Sequence, residues 1–131
     1  NFSEVSSYNF IIIPGSFLYL VGWILKILAI EKDVPGVIEE QFRPHLRAEA
    51  ARAWELHQIG IIRELYFRQD KSNAVLVLEC RDTEEARNIL GTLPLVREGL
   101  IVFEILPLVP YPGFAKLFDG SMQHPDMDPS H

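Results

Sequence analysis

The change of hydrophobic period at Gly60 constrains the fold of this 131-residue chain more than any other feature. In RAEAARAWELHQIGIIRELY, residues 47–66, apolar side chains first recur at helical spacing and then alternate as in a half-buried strand. Glycine often follows a helix because it adopts positive φ at no steric cost. The segment predicts a helix from about Pro44 to Ile59 that ends in a cap at Gly60. A short turn at 37–42 should precede this helix, and a strand from Ile61 to Gln69 should follow it.

The remaining β-rich stretches complete the pattern of elements. Asp82 and Glu85 have the spacing of a capping box, which predicts the start of a second helix that ends before Pro94. The other predicted strands are 24–32 (ILKILAIEK), 74–80 (AVLVLEC) and 100–106 (LIVFEIL), with turns at 33–36 and 70–73. The order β-α-β-β-α-β predicts an α+β fold of the ferredoxin-like type, in which two helices cover one face of a four-stranded antiparallel sheet.

The second face of this sheet needs a partner. The strands AVLVLEC and LIVFEIL are apolar on both faces, and helices cover only one of them. A second subunit that packs sheet to sheet would bury the open face and give a dimeric α+β barrel. The apolar segment LVPYPGFAKLF would then lie across that partner rather than in water. We therefore expect a homodimer or a higher homo-oligomer.

The two ends of the chain differ from the predicted domain, which covers residues 24–118. Residues 1–23 form an apolar extension, interpreted as upstream sequence outside the mature protein or a dispensable segment, with translation starting near Leu25. The alternative is a membrane anchor through residues 10–30, which reaches the required length of about 20 apolar residues only by including a proline and a glycine. Residues 119–131 (DGSMQHPDMDPSH) have the composition of a disordered tail.

Composition excludes several classes of function. A net charge of −6 with scattered basic residues argues against nucleic acid as a partner, because phosphate binding needs clustered Lys and Arg. The single cysteine, Cys80, allows neither an intrachain disulfide nor a multi-cysteine metal site, and is predicted to be a small core residue. No histidine spacing predicts a metal site, and no glycine-rich loop predicts a nucleotide cofactor. A cofactor-free cytoplasmic protein is expected, with a membrane role disfavoured.

One face of the predicted main helix carries a carboxylate among apolar residues. The residues that share this face on a 3.6 period are Leu46, Glu49, Ala53, Leu56 and His57. A buried acid is costly unless it is paired or used, and burial would raise its pKa toward the range of a general base. Glu49 is therefore a proton-transfer residue, a carboxylate paired with Arg63 or Arg52, or a side chain that points to the edge.

Three further side chains have two interpretations each. His57 would donate to a substrate oxygen, or it would be a helix-end histidine bonded to a backbone carbonyl. The guanidinium of Arg63 would bind a substrate carboxylate, or it would pair with Glu49 or Glu64. Tyr66 has the opposite strand parity to Arg63, so it belongs to the interface or core unless a bulge interrupts the strand.

These positions resemble the muconolactone delta-isomerase-like family over roughly residues 25–112. The positions that carry the resemblance are Ala48-Glu49, Ala53, Leu56, Gly60, Arg63 and Leu65-Tyr66, followed by Leu93-Pro94-Leu95 before the last strand. The resemblance implies a dimeric barrel, often assembled into rings, with a ligand pocket between helices and sheet. It also implies cofactor-independent proton transfer on an unsaturated lactone. Val96-Arg97-Glu98-Gly99 stands where the family has Phe-Pro-Tyr, and Tyr111-Pro112 replaces its C-terminal His-Pro, so the substrate stays open.

Two function classes follow from these observations. The first is an isomerase-like protein that moves a proton on a small unsaturated lactone or related carboxylic acid. In it Glu49 and His57 are the catalytic candidates, and the substrate-binding candidates are Arg63, Leu46 and Ala53. The second is a non-catalytic dimer whose pocket binds a small apolar ligand or is packed shut. A heme- or quinone-type monooxygenase on the same barrel is a third, weaker idea.

Overall fold

Apolar stretches rich in β-branched residues form the strands. The computed structural model describes residues 9–13, 17–21 and 24–119. Its strands are β1 (Asn9–Ile13), β2 (Phe17–Val21), β3 (Leu25–Asp33), β4 (Ile62–Phe67), β5 (Ala74–Cys80) and β6 (Ile101–Leu108). Strands β1 and β2 pair with each other, and the other four form one antiparallel sheet in the order β4-β5-β3-β6.

The helices lie between these strands in the predicted order. They are α1 (Glu39–Phe42), α2 (Leu46–Gln58), α3 (Thr83–Leu90) and α4 (Pro94–Arg97), with 3-10 segments at Arg43–His45 and Pro112–Leu117. The molecule is therefore α+β with an open four-stranded antiparallel sheet, which is compatible with the predicted ferredoxin-like fold. The main helix begins two residues later than predicted because the residues around Pro44 form the 3-10 segment instead.

The core lies between one face of the sheet and the helices. Alternate residues of β3 and β5 are buried, as the period of a strand requires when one face is covered. The buried core residues include Ile27, Ala29, Leu56, Ile62, Leu76, Leu78, Cys80, Ala86, Leu90 and Leu93. Cys80 therefore has the predicted position of a small core residue, and burial raises the pKa of its thiol to about 12.

Local hydrogen bonds end and begin the helices where the sequence predicts. Gly60 has φ +88°, and its N–H donates to the carbonyl of His57 at 3.1 Å while the N–H of Ile61 donates to that of Leu56 at 3.0 Å. This is a Schellman cap, which joins α2 directly to β4. At α3, the Asp82 carboxylate accepts the N–H of Glu85 at 2.7 Å, as the predicted N-cap requires.

The last strand is longer than predicted. β6 continues through Pro107 to Leu108, whereas the sequence favours an end before the proline. Because β6 is an edge strand, the missing N–H of proline removes no bond that the sheet needs. Pro107 pairs in register with Ile27 of β3.

Most of the predicted extensions lie outside the described residues. Within residues 1–23, only β1 and β2 are described, and the sequence reasoning assigned no strands there. Of the predicted disordered tail, only Asp119 is described. Across the described ranges, no helix combines the length and apolar character needed to cross a bilayer. The cytoplasmic location stays a prediction.

Candidate functional site

Helix α2 stands away from the sheet along much of its length. Leu56 is its one buried residue in the described structure, while the side chains of Leu46 and Trp54 are 50% and 58% exposed. The space beneath the helix is an open cavity of about 1050 Å³. A cavity of this size, largely apolar with a few polar groups, is typical of sites for small molecules.

The cavity brings together all of the predicted site residues. Its lining includes Leu46, Glu49, Ala53 and His57 from α2 and Arg63 from β4. The four helical residues reach it because they follow the 3.6-residue period, and Arg63 reaches it because Gly60 turns the chain directly into the sheet. Aromatic walls are supplied by Phe42, Trp54, Tyr66, Phe67 and Phe103.

Glu49 is half-buried at the start of α2 and is held by a backbone group. Its Oε1 accepts the N–H of Leu95, in the first turn of α4, at 2.8 Å. Burial raises the pKa of Glu49, and the Leu95 N–H together with the charges of Arg97 and His45 opposes this rise. The side chain is thus oriented through one of its oxygens, and its pKa lies above the ordinary value of a glutamate.

The alternative ion pairs proposed for Glu49 are not formed among the described residues. Arg52 pairs with Glu55 at 3.0 Å and bonds to the hydroxyl of Thr92 at 2.9 Å. Arg63 lies 3.9 Å from Glu79, at the limit of an ion pair, rather than beside Glu49 or Glu64 as the alternatives require. The Arg52–Glu55 pair has the i,i+3 spacing of neighbours on one helix, whereas the contact of Arg63 with Glu79 depends on the packing of two strands, which the helix period cannot show.

A second carboxylate in the cavity, Glu31, was missed by the sequence reasoning. Glu31 lies on the central strand β3 and is only 6% exposed, and its Oε1 accepts the N–H of Ala74 at 2.8 Å. Burial raises the pKa of Glu31, as do the nearby charges of Asp33 and Glu49, whereas the Ala74 N–H and Lys71 lower it. The signal was present in the sequence, because position 31 continues the strand alternation of the buried positions 27 and 29.

His57 has the structural partner that one of its interpretations requires. Its Nδ1 lies 3.0 Å from the carbonyl oxygen of Ile62, so Nδ1 carries the proton and donates it. This bond joins the end of α2 to the start of β4. In the neutral ring Nε2 is then an acceptor, and the imidazole still lines the cavity.

A β-bulge interrupts the alternation of β4 side chains between the two faces of the sheet. Ile62 pairs with Leu78 and Glu64 with Val77, so Arg63 is an extra residue in the ladder. Strict alternation would place Arg63 and Tyr66 on opposite faces; the bulge interrupts this alternation, and the cavity lining includes residues 63–67 around this edge of the sheet. Tyr66 is 56% exposed and donates to Glu64 at 2.8 Å, so it is not a core residue of this chain, and its place in an interface stays a prediction.

The site separates two kinds of charge. The carboxylates Glu31 and Glu49 are buried or half-buried, whereas the side chain of Arg63 is about half exposed at the sheet edge. A small acid would bind with its carboxylate toward the guanidinium and its carbon skeleton toward the two acids. Among the residues that the structure describes, no group of three or more His, Cys, Asp or Glu side chains is arranged to hold a metal ion.

Comparisons of the sequence with protein-family models and with curated proteins give no match.

Proposed function

We propose that this protein is a cofactor-independent isomerase-like protein, which transfers a proton on a small unsaturated lactone or a related carboxylic acid. The observation that carries the proposal is Glu49, a half-buried carboxylate that lines a cavity of about 1050 Å³ and is oriented by the Leu95 N–H. Its raised pKa brings a carboxylate base closer to the working pH of a carbon acid reaction. The resemblance to the muconolactone delta-isomerase-like family supports the same reaction class.

The reaction begins with loss of a proton from a carbon conjugated with the carbonyl group, which is the γ carbon in an α,β-unsaturated lactone. The Glu49 carboxylate accepts this proton, and the electron pair of the broken C–H bond spreads over the carbonyl and the adjacent double bond. A proton returned to a different carbon moves the double bond and completes the isomerisation.

The other candidate residues position the substrate. Arg63 binds the carboxylate of the substrate, since its contact with Glu79 at 3.9 Å is weak enough to be exchanged. Leu46 and Ala53 contact the carbon skeleton from α2. His57 is held by its bond to Ile62, which leaves Nε2 of the neutral ring to accept a hydrogen bond from an O–H group of the substrate.

The working form in this proposal is a homodimer that pairs the open faces of two sheets. The open face has an apolar centre between two ion pairs, Lys26–Glu79 at 3.3 Å and Lys32–Glu104 at 3.4 Å. The apolar residues of this face are Leu28, Ile30, Val75, Val77, Val102 and Leu106. A second copy suits such a face because it presents the same apolar centre and internally paired charges. The exposed aromatic residues of the C-terminal segment, Tyr111, Phe114 and Phe118, would cover part of the partner.

Deuterium exchange tests the proposed reaction. Proton NMR of muconolactone and simpler butenolides in D2O, with the wild-type protein, should show deuterium entering the ring carbons and a second isomer accumulating. In the Glu49→Gln variant, the rates of deuterium exchange and of isomer formation should both fall by at least about 100-fold, which is the usual contribution of a general base. Glu55→Gln is the matched control, because Glu55 lies on the same helix and pairs with Arg52 away from the cavity.

The outcomes separate the two function classes. Exchange that survives Glu49→Gln would leave an enzyme but remove Glu49 as its base. A second candidate, a non-catalytic ligand-binding dimer, is favoured by the aromatic lining of the cavity. Shifts of the ring resonances of Trp54 and Phe103 on adding lactone, with no deuterium exchange, would support that candidate and contradict the isomerase.

A further inference from the structure

We propose that Glu31 is the second catalytic residue of this site and delivers the proton that completes the isomerisation. The inference rests on the proposed function, because it assigns the second step of the same reaction. The other candidates come from helix α2 and the edge strand β4, whereas Glu31 comes from β3, an inner strand of the sheet.

The two carboxyl groups lie on different walls of one cavity. Glu31 projects from β3, which forms part of the sheet beneath the cavity, and Glu49 projects from α2 above it. A flat substrate between the helix and the sheet therefore has a carboxyl group on each side. An isomerase that removes a proton at one carbon and adds one at another can use two such groups without turning the substrate.

Glu31 is held in place by contacts that leave part of its carboxyl group unused. Oε1 accepts the Ala74 N–H at 2.8 Å, and the backbone carbonyl of Glu31 accepts from Asn73 at 3.3 Å. Among the described residues no hydrogen bond involves Oε2, which leaves it for a ligand. The bond to the Ala74 N–H accounts for Oε1 alone, whereas the carboxyl group of Glu31 also lines the cavity.

The surroundings of the two acids divide their roles. Glu31 is nearly buried, and the groups that face it are the carboxylates Asp33 and Glu49, with Lys71 opposing them. Glu49 is more exposed and has the cations Arg97 and His45 nearby. We therefore assign the acid role to Glu31, which is less exposed and faces two carboxylates, and the base role to Glu49.

The proton balance of the reaction closes without any added reagent. Glu49 carboxylate takes a proton from the substrate, which breaks one C–H bond and leaves a delocalised enolate. Protonated Glu31 gives its proton to the other end of the enolate, which forms the new C–H bond. Glu49 is then protonated and Glu31 ionised, and water in the cavity carries one proton from the first to the second. No atom is oxidised or reduced.

The Glu31→Gln variant tests this assignment. Glutamine keeps the volume of the side chain and the oxygen that accepts the Ala74 N–H, but its amide group has no acidic proton. In D2O the variant should form the second isomer at least about 100-fold more slowly, because a general acid is lost. Deuterium should still enter the recovered substrate at a rate close to that of the wild type, since Glu49 remains. Glu84→Gln, an exposed change on α3, is the control for both rates.

Each outcome identifies which step fails. Equal isomer formation by Glu31→Gln and wild type would overturn the role of Glu31 and leave that of Glu49 intact. Loss of both exchange and isomerisation in Glu31→Gln, with thermal unfolding and lactone-induced NMR shifts unchanged, would also overturn it. If the wild type neither exchanges nor isomerises any lactone, the proposed function fails and this inference fails with it.

Discussion

The two cavity carboxylates make a residue-scale prediction about stability that is independent of any substrate. Because the pKa of Glu31 is raised above its ordinary 4.5 in the folded protein, the folded state binds this proton more tightly than the unfolded state. The contribution of Glu31 to the stability of the fold is therefore present at low pH and is lost as pH rises through its folded pKa. Glu31→Gln removes this titration, so its melting temperature relative to the wild type should rise between pH 4 and pH 8. Thermal unfolding followed by circular dichroism over this range measures the trend.

Asp33, on the same strand, provides a control of opposite sign. Hydrogen bonds from Asn73 and Lys71 lower the pKa of Asp33 below its ordinary 3.8, so ionised Asp33 favours the folded state. The melting temperature of Asp33→Asn relative to the wild type should fall, not rise, as pH increases from the folded pKa of Asp33 up through 3.8, and should change little above that range. The same direction of change for both variants would contradict the assigned shifts.

The sequence could predict single residues only where a regular period decided their surroundings. Glu49 was found because the helical period places it among apolar residues, and it lines the cavity as predicted. Glu31 was missed because Glu-Lys-Asp at the end of β3 looks like the exposed end of a strand. Its burial follows the alternation of β3, which places position 31 on the same face as the buried Ile27 and Ala29, but the three charged residues in a row make this end of the strand look exposed.

Among the elements, the junction of α2 and β4 makes a prediction about Gly60. An L-residue at φ +88° is strained, and an added Cβ would lie 3.3 Å from Nη1 of Arg63. We expect Gly60→Ala to lower the free energy of unfolding by about 1 kcal/mol or more. Gly91, just after α3, is the matched control, because its φ of −66° suits any residue. Urea denaturation should find Gly91→Ala within about 0.5 kcal/mol of the wild type, and an equal loss in both variants would contradict the argument.

Element order and caps could be predicted because they depend on local chemistry. Gly60 and Asp82 end and begin their helices as expected, since each forms bonds within a few residues of itself. The bulge at Arg63 and the continuation of β6 through Pro107 could not be predicted in this way. Both depend on which strand lies alongside: the bulge on the register with β5, and the proline on its position at the sheet edge.

For the whole molecule, the open sheet face is the feature that needs a partner. Its centre contains Leu28, Val77 and Leu106, which are partly buried within the sheet but uncovered by any described helix. The charges around them are paired within the chain, so they do not repel a second copy. An apolar face of this kind in a monomer would favour association, because burying it removes apolar surface from water.

We therefore expect the wild-type protein to be a dimer at micromolar concentration and Leu28→Arg to be a monomer. Leu28 lies at the centre of the open face, opposite Val77 and Leu106 in the ladder, and an arginine there would leave charges facing each other across the interface. Ala51→Arg, on the exposed side of α2, is the control and should remain dimeric. Size-exclusion chromatography with light scattering measures the mass of each, and circular dichroism checks that Leu28→Arg is folded. A wild-type mass equal to one chain would contradict the paired-sheet assembly, and the cavity would then have to function within a single subunit.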